Sequence, residues 1–110
     1  EVLEDLKAEN FINDERYIKA YINDKYKIYK WGRHKISHFL YSKSLPKTLI
    51  EKHLKNIDED IYLNNLRNII ESKKSQIKEN DEYKARFMLF KFAANKGYES
   101  EYIHLVLGED

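Results

Sequence analysis

Residues 33–54 recur as residues 86–107 at an offset of 53. Such a repeat limits the fold to architectures in which similar units stack on one another. Arg33, Ile36, Phe39, Leu40, Lys43, Leu45, Leu49, Ile50 and Leu54 fall on Arg86, Leu89, Phe92, Ala93, Lys96, Tyr98, Tyr102, Ile103 and Leu107, and every apolar position stays apolar or aromatic. The unit reads as a long helix, a second helix, a tight turn and a short third helix. Two such units divide the chain into residues 13–56 and 57–110. Residues 1–12, with Leu3, Leu6 and Phe11, then read as the closing helix of a preceding repeat that is not present. The expected fold is all-α: tandem three-helix repeats in an elongated helical stack.

Helices throughout are also what the composition favours, since the chain has three Gly and one Pro in 110 residues. The expected series begins with a helix over 1–9 that stops near Asn10. Asn13 or Asp14 caps a second helix over 14–29, whose stripe of Ile18, Tyr21, Ile22, Tyr26 and Tyr29 is buried. A third helix spans 33–43 on Ile36, Phe39 and Leu40. The break at Ser44-Leu45-Pro46 puts Pro46 in the first turn of a fourth helix that ends near Lys55. Asp58, Glu59 and Asp60 open a fifth that runs to Ile77, and Asp81-Glu82 a sixth over 82–95. Gly97 suits a left-handed position, and Ser100 caps a seventh helix carrying Ile103 and Leu107. Phe39, Leu40, Leu89, Phe92 and Ile103 are the expected core.

The charge is unevenly spread. Residues 25–55 hold nine basic residues and one acid, a balance of +8, between flanks of −4 and −3 in a chain of net charge +1. A surface of this kind meets an anionic partner, unless it is a solvated helical face. Without Cys there is neither a disulfide framework nor a thiolate zinc site. The longest apolar run, residues 87–90, is far too short to span a bilayer, so the chain reads as soluble and cytoplasmic with no membrane role.

Motifs for chemistry are lacking. Gly32, Gly97 and Gly108 stand singly at helix ends, and there is no phosphate-cradling loop and no nucleophile motif. His34 and His38 have the i, i+4 spacing of a metal pair but sit among cations, so they read as surface residues, with no metal and no cofactor. His53 and His104 read as edge residues. An enzyme is not expected.

One series of short motifs resembles a known family. Phe11-Ile12-Asn13-Asp14-Glu15-Arg16-Tyr17, then Gly32-Arg33-His34-Lys35-Ile36 with Phe39-Leu40, Lys43-Ser44-Leu45, and Lys96-Gly97-Tyr98 with Ile103 and Leu107, are similar in order and spacing to the RecX regulators of the bacterial RecA recombinase. Asp14, Arg16, Tyr17, Gly32 and Gly97 carry the family pattern. Asn13 replaces its usual Asp, and Ser44 stands where Gly is common. The resemblance implies the second and third of three tandem repeats. It also implies a monomeric partner of the RecA filament on DNA that suppresses recombination, ATP hydrolysis and co-protease activity in DNA repair and the SOS response.

The residues expected to touch the recombinase or DNA are Lys25, Lys27, Lys30, Trp31, Arg33, Lys35 and Lys43. An alternative is a nucleic-acid-binding helical module that contacts phosphates directly through this basic segment, where aromatics alternate with cations. Trp31 lies between two helices, where it either plugs the repeat junction or anchors a partner. Asp14 and Arg16 either brace the start of their helix or pair with a partner.

Overall fold

Six helices make up the chain between residues 2 and 108, the stretch whose backbone the computed structural model describes; side chains are described for residues 10–108. They are α1 (Val2–Lys27), α2 (Arg33–Tyr41), α3 (Lys47–Lys55), α4 (Glu59–Lys74), α5 (Glu82–Asn95) and α6 (Ser100–Leu107), with no strand among the described residues. The two helices expected on either side of Asn10 are one. Asn and Asp lower helix stability by only about 0.7 kcal/mol each, and no Gly or Pro interrupts residues 1–31. Neither Asn13 nor Asp14 therefore starts a new helix. Leu3 and Leu6, expected to close an earlier repeat, have side chains outside the described ones, while Phe11 and Ile12 are exposed.

Two of the acidic starts act as expected. The Asp58 carboxylate accepts from the backbone N–H of Asp60 and Ile61 at 2.9 and 3.2 Å, and that of Asp81 from Tyr83 and Lys84 at 2.9 and 3.3 Å. Ser100 does not cap α6 but is its first residue. Glu99 holds the capping position without a side-chain cap, because its carboxylate is engaged by Arg33 and Tyr62. Ser44 and Gly97, equivalent in the repeat, are both left-handed, with φ of 58° and 99°.

The core is continuous through both repeats. Ile18, Ile22, Ile36, Leu40, Leu49 and Ile50 fill the first, and Leu66, Ile70, Leu89, Ala93 and Ile103 the second. Of the expected core, Leu40, Leu89 and Ile103 are buried, Phe92 is half-buried and Phe39 is 42% exposed. Phe39 lies about 80° around the helix from the midline of Ile36 and Leu40, too far round to follow them inward. Tyr29 also departs from the expected stripe: α1 ends at Lys27, so the helical phase that buries Ile18, Ile22 and Tyr26 is lost before Tyr29, which is 57% exposed.

The repeats stack end to end. The molecule measures 67 × 24 × 24 Å with a radius of gyration of 17.4 Å, against about 13 Å for a compact domain of this length. Helix α1 packs on α2 and α3 within its repeat and on α4 of the next.

At the junction, backbone meets backbone. Gly32 N–H donates to the Lys96 carbonyl at 2.8 Å and His34 N–H to the Gly97 carbonyl at 2.9 Å. A Cβ on Gly32 would fall 2.2 Å from the Gly97 carbonyl carbon, and one on Gly97 2.5 Å from the Lys35 backbone nitrogen. The pair of glycines therefore sets how closely the repeats approach.

Polar side chains complete the seam. The buried Tyr62 hydroxyl accepts from Arg33 N–H at 2.8 Å and donates to Glu99 at 2.6 Å. Tyr98 donates to the Lys30 carbonyl at 2.9 Å, and Asn65 to the Tyr26 carbonyl at 2.6 Å near the end of α1.

Candidate functional site

The basic segment turns sharply after α1. Lys30 adopts a left-handed conformation, φ 59°, and the chain reverses so that Trp31 N–H bonds back to the Lys25 carbonyl at 2.9 Å. Trp31 thus lies over the last turn of α1, with one side packed against the core. Gly32 then leads into α2, which places Lys35 in its first turn and Phe39 one turn further on.

The result is a row of rings with ammonium groups between them. Trp31 has its ring centroid 5.5 Å from Phe39 and 6.4 Å from Tyr29. Lys25 Nζ stands 4.2 Å from the Tyr29 ring, 4.8 Å from Trp31 and 5.3 Å from Tyr21, and Lys35 Nζ 4.3 Å from Trp31. Tyr17, 43% exposed and 5.9 Å from Tyr21, extends the row along α1. Burial, aided by the neighbouring Tyr17, keeps the Tyr21 phenol above its ordinary 10.0 and so uncharged. Each ammonium–ring contact at such an exposed site is worth only about 0.5–1 kcal/mol, so the lysines remain available to a stronger anion.

The expected site residues thus separate. Lys25, Trp31 and Lys35 come together. Lys27 is exposed with its Nζ 5.8 Å from the Tyr26 ring, and Lys43 is exposed in the turn after α2. Lys30 contributes its backbone turn and a carbonyl bonded by Tyr98.

Arg33 is directed into the seam. Its Nε donates to the Leu54 carbonyl at 2.9 Å, it pairs with Glu99 at 3.0 Å and Glu59 at 3.4 Å, and it lies 4.3 Å from the Tyr62 ring. Burial opposes the guanidinium's charge, but the bond to Glu99 and that carboxylate's field outweigh it and leave the group fully ionised. Its repeat counterpart Arg86 makes the matching bond, to the Leu107 carbonyl at 2.8 Å. This arginine therefore braces the end of the third helix in each unit.

Of the family-pattern residues, Asp14 is half-buried on α1 and Arg16 and Tyr17 are exposed there, whereas Gly32 and Gly97 form the inter-repeat crossing. Phe39 and Tyr29 were not expected on this surface. The available signal was the end of α1 for Tyr29 and the off-centre phase for Phe39.

On the opposite flank of α1, Glu15 ties α1 to α3 through His53 at 2.7 Å and Lys52 at 3.1 Å. These two hydrogen bonds, His53's the larger, hold the Glu15 carboxyl below its ordinary 4.5. His34 and His38 are exposed on α2. No group of three or more His, Asp or Glu side chains converges in a metal-binding arrangement, and no helix is long and apolar enough to cross a membrane, among the described residues.

Residues 13–54 match the family model described as "RecX, second three-helix domain". Curated relatives named "Regulatory protein RecX" include that of Clostridium beijerinckii, 36% identical over 101 residues, covering 90% of this chain and 46% of the relative. That of Clostridium perfringens strain 13 is 34% identical, covering 88% and 46%, and that of Clostridium tetani 32% identical, covering 98% and 50%. The chain spans about half the length of the curated relatives it matches. No solved structure matches it.

Proposed function

Because the chain belongs to the RecX family, we propose that it forms part of a regulator that binds the RecA recombinase filament on DNA and suppresses its recombination, ATP hydrolysis and co-protease activities. It acts by occupying the filament, as a cytoplasmic monomer with no catalytic step and no cofactor of its own. The observation that carries the reading is the basic, ring-lined face around Trp31, displayed on a rod whose two repeats are locked together by main-chain hydrogen bonds. A filament on DNA is a long, regular anionic partner. A stiff body with a cationic strip can engage it over an extended length without refolding.

Exposed rings among the cations favour a second reading for the same face, direct contact with nucleic acid. The two are separated by measuring ATP hydrolysis by filaments on single-stranded DNA while this protein is added. The regulator reading expects inhibition when the protein is far scarcer than its DNA sites, and loss of that inhibition in Lys25→Glu/Lys35→Glu. Inhibition that begins only once the DNA is saturated would mean simple competition for DNA.

A further inference from the structure

We propose that Tyr29, Trp31 and Phe39, with Lys25 and Lys35 beside them, bind single-stranded nucleic acid by stacking its unpaired bases. The inference shares its surface with the reading above and deepens it by naming the ligand chemistry of that face. Its test contains no recombinase, so it can fail while the filament reading stands.

Phosphate attraction alone would need the cations and nothing more. Here the cations are interleaved with large apolar rings that remain in water, Tyr29 at 57% and Phe39 at 42% exposure, within the segment of +8 charge. Each half of the arrangement suits one half of a nucleotide. A ring offers its face to a base, and an ammonium 4.3–4.8 Å from the Trp31 ring stands where the phosphate of a nucleotide stacked there can reach it.

Lys25 and Lys35 now rest on π faces, a contact weak enough for a phosphate oxygen to displace. The backbone turn through Lys30 and the packing of Trp31 against the core hold the central ring before any ligand arrives. Such preorganisation reduces the ordering cost of binding.

The same features fix the class of nucleic acid. Bases within a duplex are stacked on each other and present only their edges in the grooves, whereas an aromatic ring needs the free face of an unpaired base to stack on. The site should therefore prefer single strands and tolerate different sequences. If about four cations of the basic segment meet phosphates, log affinity falls with log salt at a slope near −3.

Trp31 is the only tryptophan of the chain and reports stacking through its own emission. The intact protein is titrated with a thymidylate oligomer of about 15 nucleotides, ample for a site of this kind, with an abasic oligomer of the same length, and with a duplex. The expected result is saturable quenching by the thymidylate oligomer, at least about five-fold weaker binding of the abasic backbone without quenching, and no preference for duplex. Tyr29→Ala and Phe39→Ala, both at exposed positions, should each weaken thymidylate binding by about 5- to 100-fold and leave abasic binding unchanged. Far-ultraviolet circular dichroism checks that each variant is folded. Equal binding of abasic and thymidylate oligomers, duplex bound more tightly than single strand, or folded variants that bind like the parent would each overturn the proposal.

Discussion

Replacing Gly32 by Ala tests the seam most directly, because the expected sign runs against a general trend. Gly32 has φ −86° and ψ 169°, a conformation any residue adopts. A Gly→Ala change in such a backbone ordinarily stabilises by about 0.4–1 kcal/mol, through the unfolded chain. Here the added carbon would lie 2.2–2.3 Å from three backbone atoms of Gly97 and Tyr98, none of which can rotate away. The repeats would have to separate at this point. Overpacking of this kind costs about 1–3 kcal/mol. Losing the Gly32–Lys96 and His34–Gly97 hydrogen bonds adds about 1 kcal/mol each. After subtracting the unfolded-state gain, the net loss is about 2–4 kcal/mol, enough to lower the melting temperature by roughly 10–20 °C in a domain of this size. Urea denaturation followed by circular dichroism and by Trp31 emission measures it. A variant as stable as the parent, or more stable, would refute the close backbone crossing. The repeat supplies an internal comparison, since the equivalent position in the second unit is already alanine, Ala85, within α5.

Three further outcomes follow from the same geometry. Arg33→Ala should cost about 2–4 kcal/mol by leaving the Leu54 carbonyl without its partner and the Glu99 carboxylate without its counter-charge, held by Tyr62 alone, and Arg33→Lys should recover less than half of it because an ammonium cannot span both; equal stability of Arg33→Ala and parent in urea would refute this. Ser44→Gly should stabilise by about 1 kcal/mol by relieving a left-handed residue that bears a Cβ; no gain in the denaturation midpoint would count against that turn. The Tyr62 and Tyr98 phenols are held well above 10.0, first by burial and then by the Glu99 carboxylate, which also accepts the Tyr62 hydrogen bond. The folded state keeps these protons longer than the unfolded chain, so their contribution is complete below pH 10 and declines as pH rises past it toward the folded values. Urea midpoints measured from about pH 9 to about pH 11 should therefore fall, and a flat profile would show that these phenols are not buried.

Much of the architecture was visible in the amino-acid pattern because it depends on local and periodic signals. The 53-residue offset located the second and third helices of each unit, and Asp58 and Asp81 marked two helix starts through side-chain acceptors. What escaped depends on tertiary context. The weak helix preference of Asn10, Asn13 and Asp14 suggested a break, but without a Gly or Pro to enforce it the helix runs through. In the candidate site, Lys25, Trp31 and Lys35 were recognisable from alternating cations and aromatics. The removal of Arg33 into the seam was not, since its partners Glu59 and Glu99 lie 26 and 66 residues away. A shared arginine in both units hinted at a structural task, but only the paired bonds to the Leu54 and Leu107 carbonyls reveal it.

The crossing of Gly32 and Gly97 also governs how the molecule measures distance. Main-chain bonds of 2.8 and 2.9 Å from Gly32 and His34, reinforced by Tyr62 and Tyr98, oppose twisting of one unit about the long axis relative to the other. The separation between a contact point on the first repeat and one on the second is therefore fixed by the seam, and changing it means breaking these bonds. Under the function proposed above, such a body would act as a gauge: it would fit a periodic surface of matching pitch at both points, and on a stretched or compressed surface it would have to release one of them. Substitutions on the outer faces would then alter how strongly the molecule holds, and substitutions at the two glycines would alter which spacing it accepts.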